Sequence, residues 1–432
     1  MLTAFARAFR TPDLRRKILF TLAIVMVYRF GAYVPGPGVS YVAIQECLRQ
    51  VEGEGIYGLV NLFSGGALLQ LSVFALGIMP YITASIILQL LVVVIPRLEE
   101  LKKEGQAGQA KITQYTRYLT IALAVLQSTG IIALARSGRL FPGAEGVNII
   151  PDDSLVRILV LIITMTAGTA VVMWLGELIT DRGVGNGMSV LIFTSIISSI
   201  PAQAVRLYQS DNGLLAVVSI ALLALVVITL VVYVEQAQRR IPVQYAKRMI
   251  GRRMYGGTST YIPLKVNQAG IIPVIFASSL LYLPQLLSNV WTSNATFTRF
   301  INTYLVDPSS PVYLAVYFAL IVFFTYFYVA ITFNPVEVSD NMKKYGGFVP
   351  GIRPGRATAE YLDFILSRIT AFGSVYLGLV AVLPYLLFGL TGNGQTVPFG
   401  GTAILIIVGV GLETVKQVES QLMLRNYEGF LR

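Results

Sequence analysis

Side chains that could act as an acid, a base, a nucleophile or a metal ligand are scarce in this sequence. Its 432 residues include no His and a single Cys, Cys47, so an imidazole base, an internal disulfide or a thiolate metal cluster cannot form. All 22 acidic residues fall in connections between apolar runs or at the ends of those runs. No GxxxxGK[ST] motif is present to cradle a phosphate. The sequence therefore predicts a protein that is not an enzyme, with no cofactor and no metal site.

Basic residues are the chemically active groups that remain, and many of them fall in one connection. Residues 239–253 read RRIPVQYAKRMIGRR, a basic loop that could bind acidic lipid, an acidic protein surface or the phosphate backbone of RNA. The alternative is that these charges only set the orientation of the protein in a membrane. The loop contains three basic pairs: Arg239 and Arg240, Lys247 and Arg248, and Arg252 and Arg253.

A second connection combines basic residues with an unusual density of Gly and Pro. Residues 346–356 read GGFVPGIRPGR, which predicts a fixed turn rather than a helix. Such a turn holds Arg353 at a rigid tip and places Arg356 close behind it. A flexible linker is the alternative, although linkers rarely carry residues such as Phe348 and Ile352 inside the turn.

The overall composition shows what kind of structure carries these loops. Hydrophobic residues make up 55% and charged residues 13%, where a soluble domain carries about 25% charge, and the mean hydropathy is +0.69. This excludes disordered chains, soluble nucleic-acid-binding domains and ordinary cytosolic enzymes, and predicts an all-α polytopic membrane protein. The continuous apolar runs argue against a β-barrel, whose strands alternate. Ten runs are long enough to span: 18–34, 74–95, 118–135, 155–175, 187–205, 214–234, 269–290, 312–333, 369–389 and 398–415.

The distribution of Lys and Arg predicts the orientation of these spans. With the N-terminus inside, 26 of the 33 basic residues fall in inside segments and 6 in outside ones, so we expect both termini in the cytoplasm. The first span follows a basic start like that of a signal peptide, but without a cleavage site it is predicted to stay. Ten spans divide into an N-terminal half, 1–205, and a C-terminal half, 206–432, which carries the cytoplasmic loops 235–268 and 334–368. An odd number of spans per half allows two inverted repeats, although the sequence shows no clear internal repeat.

The predicted membrane interior is almost free of charge. Coupled transporters usually place an ionisable residue at mid-membrane, so this absence favours a passive conduit or a scaffold. Arg29, near the outer end of the first span, is expected to snorkel towards the surface.

Residues 61–73, NLFSGGALLQLSV, give about 20 Å of helix, too short to cross. This segment is either an amphipathic segment on the outer surface or a re-entrant one buried in protein.

Six long motifs, in order along the chain, resemble the SecY family, the channel subunit of the bacterial Sec protein translocase. They are NLFSGGAL at 61–68, FALGIMPYITASIILQLL at 74–91, KKEGQAGQAKITQYTRY at 102–118, RGVGNGMS at 182–189, PLKVNQAGIIPVIFASS at 263–279 and FVPGIRPGRATAEYL at 348–362. The resemblance implies two five-helix halves around an hourglass pore. That pore passes unfolded polypeptide across a bacterial plasma membrane and releases hydrophobic segments sideways into lipid. It also implies that residues 61–73 are the re-entrant plug of this pore.

The resemblance assigns roles and partners to individual residues. It implies a pore ring of Ile78, Ile82, Met188, Ile192, Ile275 and Ile406, and a plug that includes Asn61, Phe63, Ser64, Gly65 and Gly66. Met188 departs from the usual Ile, and Arg356 stands where many relatives are acidic or polar. The two basic loops would dock the ribosome and the SecA ATPase, SecE and SecG would complete the complex, and signal peptides and unfolded preproteins would be the cargo.

A lateral gate needs two helices that can part, and the spans at 74–95 and 269–290 carry Gly and Pro residues that favour kinks. Polar residues that could bridge these spans are Thr83, Ser85, Gln89, Ser278 and Ser279, although packing or lipid-facing positions are the alternative for each. Two other functions compete with a channel. A secondary transporter would need a polar site in the membrane, and a scaffold would leave the re-entrant segment and the aliphatic ring without a purpose.

Overall fold

Helices make up most of the computed structural model, which describes residues 9, 11–50, 64–136, 149–151, 154–208, 213–245, 248–250, 253–255, 259–290, 299–306, 310–391 and 401–429. The helices are α1 (Pro12–Tyr33), α2 (Tyr41–Gln50), α3 (Met79–Val94), α4 (Pro96–Lys103), α5 (Gln106–Arg136), α6 (Leu155–Arg182), α7 (Gly187–Tyr208), α8 (Gly213–Gln236), α9 (Ile272–Val290), α10 (Pro311–Thr332), α11 (Pro335–Lys344), α12 (Arg356–Thr391) and α13 (Gly401–Gly429). A short π-helical turn covers Asn302–Val306.

Each of the ten predicted spans overlaps one of these helices: α1, α3, α5 to α10, α12 and α13. Within the described residues, four helical stretches are both long and apolar enough to cross a membrane: Gln106–Arg136, Leu155–Arg182, Pro311–Lys344 and Arg356–Leu386. The pair α3 and α4, bent by 100°, makes a fifth, and α7, α8 and α9 contain shorter apolar stretches. The protein is therefore an all-α polytopic membrane protein, as the composition predicts.

The helices pack as two groups. In the first, α3 lies against α5, α5 against α6, and α6 against both α1 and α7. In the second, α9 lies against α10, α10 against α12, and α13 against both α8 and α12. The groups meet along α7, which contacts α8 and α13, and again where α9 contacts α3 and α5.

A small sheet projects from the second group, where the sequence suggested only a basic loop. Strands β1 (Gln238–Tyr245) and β4 (Ser259–Lys265) form an antiparallel hairpin, and β5 (Gly347–Phe348) pairs with the end of β1. Between β1 and β4 lies a second antiparallel pair, β2 (Arg248–Ile250) and β3 (Arg253–Tyr255). The reason is the alternation along β1, in which Ile241 and Val243 are buried and their neighbours are exposed.

The hairpin of β1 and β4 is fixed to the bundle by its apolar face. Ile241, Val243 and Leu264 pack with Met342 of α11 and Leu362 of α12. The start of α1 and the later part of α13 lie at this same end. Leu14 packs with Val184 and Val418, and Lys416 acts electrostatically on Glu235, which lies just before the hairpin. We call this the hairpin end, and the end at which α1 finishes the opposite end.

Candidate functional site

Six apolar side chains, predicted as a pore ring, converge in one hydrophobic cluster, which we call the central cluster. Ile192, Ile275 and Ile406, from α7, α9 and α13, are buried there, and so is Ile78, just before α3. Ile82 and Met188 pack against the same cluster while partly buried. The cluster thus draws on both helix groups. None of the fully buried side chains among the described residues is Asp, Glu, Lys or Arg.

The motif RGVGNGMS positions the ring residues of α7. The Asn186 side chain accepts a hydrogen bond from the Met188 amide at 3.1 Å and so caps the first turn of α7. A Cβ at Gly187 would lie 1.8 Å from the Gly176 carbonyl oxygen, so only Gly lets α6 and α7 touch backbone to backbone. The Met188 sulfur packs over Gly176, which fixes the side chain that departs from the family pattern.

Helices α3 and α9 begin in the same way, and this similarity reveals a residue missed from the sequence. Both follow a Gly-Ile-x-Pro sequence whose Gly has a positive φ, +53° at Gly77 and +64° at Gly270. The carbonyl of Ile78 accepts from the Ile82 amide at 3.1 Å, and that of Ile271 accepts from the Ile275 amide at 3.3 Å. Ile271, the counterpart of Ile78, joins the central cluster.

This shared motif is only four residues long, GIMP in one span and GIIP in the other, and comparing the starts of the second and seventh spans would have found it. Its structural role is visible at α13, where a Cβ on Gly409 would lie 3.2 Å from Ile271. The missing side chain at Gly409 leaves room for Ile271 beside Ile406.

Residues 64–73, the described part of the predicted plug, lie inside the bundle. Leu68 and Leu71 are fully buried and pack with Ile131 of α5 and Met165 of α6. This burial agrees with the re-entrant interpretation and contradicts an amphipathic segment on the outer surface. Asn61 and Phe63 lie outside the described residues. We call residues 64–73 the plug segment.

From Gly65 onward the plug segment is a succession of turns, interrupted by a β-bridge between Ser72 and Pro35, and the turns continue to residue 78. The predicted span 74–95 therefore becomes helical only at Met79. Ser64 is buried and its hydroxyl accepts a hydrogen bond from the Leu68 amide at 3.1 Å. Gly65 and Gly66 have φ of +66° and +92°, a region that residues with a Cβ rarely adopt. These two glycines explain why the chain turns here.

Arg29, expected to snorkel, is partly buried and makes two side-chain hydrogen bonds. Its Nη1 donates to the Gly65 carbonyl at 3.1 Å and its Nη2 to the Tyr33 hydroxyl at 3.0 Å. The neighbouring Tyr28 hydroxyl lies 2.7 Å from that of Ser195 on α7. The charged residue in α1 is thus directed at the plug segment. A charge within an otherwise apolar span was the signal that could have identified it.

The five predicted gate residues do not bridge α3 and α9. Thr83 donates to the Met79 carbonyl, Gln89 donates to Ser85, and Ser278 donates to the Ile275 carbonyl, each within its own helix. The buried Ser279 hydroxyl has no hydrogen-bond partner in the part of the chain that the structure describes. The contact is instead apolar, since Ile86 of α3 clusters with residues of α9 such as Ala277. Apolar side chains reach across the interface, whereas short hydroxyl side chains reach their own backbone more easily.

At the hairpin end, the predicted docking residues are spread over the sheet. Arg239 and Arg240 are exposed on β1, and the Arg240 guanidinium lies 4.8 Å from the centre of the Tyr261 ring. Arg248 and Arg253 are the first residues of β2 and β3. Lys247 and Arg252 lie outside the described residues. The described basic residues thus belong to strands of two small sheets and not to an irregular loop.

The Gly/Pro-rich connection forms the rigid turn that its sequence predicts. Gly351 and Gly355 have positive φ, the Thr358 hydroxyl donates to the Arg353 carbonyl at 2.9 Å, and Ser339 of α11 donates to the Gly355 carbonyl at 2.7 Å. Arg353 is exposed at the tip. Arg356, expected to add to the basic tip, instead pairs with Glu360 at 2.9 Å, which leaves Arg353 as the more available charge.

A buried polar contact joins the hairpin to α9. The Asn267 amide donates both to the Glu235 carboxylate at the end of α8 and to the Gly270 carbonyl just before α9. The Val266 amide also donates to the Ala237 carbonyl at 3.0 Å. The base of the hairpin and the start of α9 are therefore held as one unit, which the sequence reading missed.

Comparison with known proteins places this arrangement in a family. The sequence model of the SecY family matches residues 72–415. Relatives named protein translocase subunit SecY are 65% identical in Streptomyces scabiei and 61% identical in Mycobacterium tuberculosis H37Rv, in each case over the full length of both chains.

Solved structures share the fold at lower identity. The structure of a protein-conducting channel aligns with a TM-score of 0.66 at 20% identity and covers 94% of this chain and 91% of that one. Sec61 in the canine ribosome–channel complex from the endoplasmic reticulum aligns with a TM-score of 0.63 at 19% identity, over 94% and 91% of the two chains. The full-length matches and the family model together show that the chain belongs to the SecY family.

Proposed function

We propose that this protein is the pore-forming subunit of a protein-conducting channel, which passes unfolded polypeptides across a bacterial plasma membrane. The observation that carries the proposal is the central cluster, in which aliphatic residues from α3, α7, α9 and α13 meet. The two helix groups, which correspond to the halves 1–205 and 206–432, would part around this cluster. Ile78, Ile82, Met188, Ile192, Ile275 and Ile406 then form the constriction.

An aliphatic constriction suits a cargo of arbitrary sequence. Fixed charges or hydrogen-bonding groups would retain some polypeptides more than others, whereas aliphatic side chains adhere to none of them strongly. When no cargo is present, such side chains close on one another, and the loss of water from the gap blocks ions. The buried plug segment, which includes Ser64, Gly65 and Gly66, adds a second barrier at the opposite end.

Hydrophobic segments of the cargo leave sideways between α3 and α9. The apolar contact between these helices supports this route, because opening it exchanges side-chain contacts for contacts with lipid tails that are equally apolar. Signal peptides, which are apolar helices, would occupy the opening. The polar residues Thr83, Ser85, Gln89, Ser278 and Ser279 line this route without locking it.

The hairpin end faces the cytoplasm and docks the partners that drive transport. The excess of basic residues in the connections at this end supports the orientation. Basic side chains of the sheet would contact ribosomal RNA, and Arg353 on its rigid turn would contact the SecA motor. SecE and SecG complete the membrane complex. The channel itself performs no catalysis and uses no cofactor.

Reconstitution tests this function directly. Purified protein with SecE and SecG, in liposomes with SecA and ATP, should move a tagged unfolded preprotein to a protease-protected interior. A matched substrate without a signal peptide should remain outside. A secondary transporter or a scaffold would protect neither substrate, and that result would refute the proposed function.

A further inference from the structure

Arg29 is the feature of the bundle that the function above leaves unexplained. It lies four residues before the end of α1, where its guanidinium donates to the Gly65 carbonyl and to the Tyr33 hydroxyl. The guanidinium carbon also lies 5.1 Å from the centre of the Tyr33 ring. Within the described part of the chain, no carboxylate is within ion-pair distance of it. Its charge is therefore directed at a backbone carbonyl of the plug segment.

Gly65 fits a narrow slot beside this guanidinium. A Cβ at Gly65 would lie 2.4 Å from the Arg29 Nη1 and 3.2 Å from the Cα of Ser195. Ser195 is itself held to Tyr28, the neighbour of Arg29, by their hydroxyl groups. The first turn of the plug segment is thus enclosed by α1 and α7, with Arg29 as its hydrogen-bond donor.

The two ends of the plug segment are held by different means. At the later end, the Leu71 carbonyl accepts from the Gly36 amide at 3.0 Å, and the Val73 amide donates to the Val34 carbonyl at 2.9 Å. Leu71 there has a φ of +44°, which is uncommon for a residue with a Cβ. The Gly65 end is held by a side chain. A movement that keeps the backbone pairing and releases Arg29 would swing the segment about Leu71–Val73.

We propose that Arg29 is a latch, a positioning residue that holds the Gly65 end of the plug segment across the closed pore. The inference rests on the proposed function, since a seal that must move is needed only in a conduit. The guanidinium and the carbonyl meet in a partly buried position, where a charge-assisted hydrogen bond is stronger than in bulk water. In a hydrated open pore, water would solvate both groups, so the bond favours the closed state selectively.

The test compares Arg29→Met, which removes the donor, with Arg29→Lys, which keeps a charged donor. Lys17→Met, at the other end of α1, removes one positive charge from the same helix without touching the plug segment and serves as the control. Each protein carries Leu69→Cys in the plug segment. The native Cys47 is buried and reports whether the fold is intact. The readouts are labelling by a membrane-impermeant maleimide and ion conductance in planar bilayers, both without cargo.

Arg29→Met should raise the labelling rate at position 69 and the open probability at least about tenfold, since a hydrogen bond to a charged group is lost from one state only. Arg29→Lys should recover most of the closed behaviour, and Lys17→Met should match the parent. Gly65→Ala, which pushes a Cβ into the guanidinium, should act like Arg29→Met. If Arg29→Met is labelled at position 69 at the same rate as the parent, Arg29 is not a latch. The same conclusion follows if Arg29→Met and Arg29→Lys raise the labelling rate equally while Cys47 stays unlabelled. Failure of the parent to move preprotein would instead refute the proposed function, whatever the labelling shows.

Discussion

Ile406 contributes a fully buried side chain of α13 to the central cluster, so a polar group there should disturb the seal. Ile406→Asn would bury an amide without partners in the closed state, at a cost of about 1–3 kcal/mol. A hydrated open state would bear little of that cost. We expect the open population to rise roughly 5–150-fold, measured as single-channel conductance without cargo.

Export of preproteins with defective signal sequences should rise in the same Ile406 variant. Leu379→Asn is the matched control, because Leu379 on α12 is 53% exposed and belongs to no part of the proposed pore. If Ile406→Asn is as electrically silent as Leu379→Asn, the central cluster does not form the seal.

Arg353 is exposed at the tip of a turn that is fixed by its own hydrogen bonds. Reversal of its charge with Arg353→Glu should therefore leave the turn intact and remove the proposed contact with SecA. We expect SecA-driven translocation to fall roughly thirtyfold or more, equivalent to about 2 kcal/mol of lost binding. The measurement is ATP-dependent protection of preprotein in proteoliposomes.

The same charge reversal at Lys344→Glu, exposed on the adjacent α11, provides the comparison. Both variants should insert and assemble normally. Equal transport by the two variants would mean that the tip has no special role in docking the motor.

At the scale of single residues, the sequence predicted which apolar side chains lie together, but it did not predict the hydrogen-bond partners of the polar ones. The six ring residues could be named together because the resemblance to the SecY family implies their positions within its motifs. The target of Arg29 could not be predicted, since it depends on where residues 64–66 pass in space. The pairing of Arg356 with Glu360 was available from their spacing of four on a helix, but the helix start had to be known first.

Among the elements, the contact between α3 and α9 is the place where we propose that the channel opens sideways. The buried Ser279 hydroxyl, which has no hydrogen-bond partner among the described residues, should cost free energy in the closed state, and water or cargo should relieve that cost in the open state. Ser279→Ala should therefore stabilise the closed gate, by about 1 kcal/mol. Transport of preproteins with weak signal sequences should fall roughly fivefold.

The direction of the change in transport by Ser279→Ala distinguishes a Ser279 hydroxyl without a partner from one that bridges α3 and α9. A hydroxyl that bridges the helices would give the opposite result, because its removal would loosen the gate and increase such transport. Ser278→Ala is the internal control, since the Ser278 hydroxyl bonds within its own helix and should be neutral. The assay is translocation of a preprotein series with graded signal-peptide hydrophobicity.

The basic sheet should bind ribosomes through phosphate contacts. Replacing Arg252 and Arg253 with Glu should weaken co-sedimentation, and the slope of log affinity against log salt should flatten by about 2, since each lost contact removes roughly one unit. Replacing Lys343 and Lys344 of α11 with Glu provides the charge-matched control. An unchanged slope in the first pair would mean that the sheet faces protein or lipid instead of RNA.

Some of these elements could be predicted from the sequence and others could not, depending on how much of the sequence carries the pattern of each element. Ten helices could be predicted because an apolar run of span length has few other solutions in a membrane. The sheet was missed because its period-2 pattern covers only Arg240 to Gln244 and was interpreted as charge alone. The turns of the plug segment depend on positive φ at Gly65 and Gly66, and the late start of α3 depends on positive φ at Gly77. Composition alone does not reveal these backbone angles.

Across the whole molecule, Asn267 ties Glu235 to the start of α9, and we expect this contact to couple the proposed docking surface to the proposed lateral opening. Asn267→Ala would leave a buried carboxylate without its amide donor, at about 1–3 kcal/mol, and would loosen the hairpin from α9. We expect SecA and ribosome affinities to stay within twofold while translocation falls. Co-sedimentation and proteoliposome transport, measured on the same preparation, check this.

A loss of affinity in parallel with transport would show that Asn267 supports the docking surface and does not transmit its state. Asn267→Gln keeps the amide on a longer side chain. Partial recovery of transport by this variant would indicate that the hydrogen bond, and not the packing, carries the coupling.

Because β5 pairs with β1, the sheet can be completed only late in the synthesis of the chain. Gln244 finds its partner Phe348 about 100 residues later in the chain, and at 5–20 residues per second the first strand waits roughly 5–20 s for the second. During that interval the hairpin lacks both β5 and the α11 and α12 side chains that pack beneath it. A nascent copy therefore completes the proposed docking surface only after most of its helices have been made, so we expect an incomplete channel to bind the motor weakly.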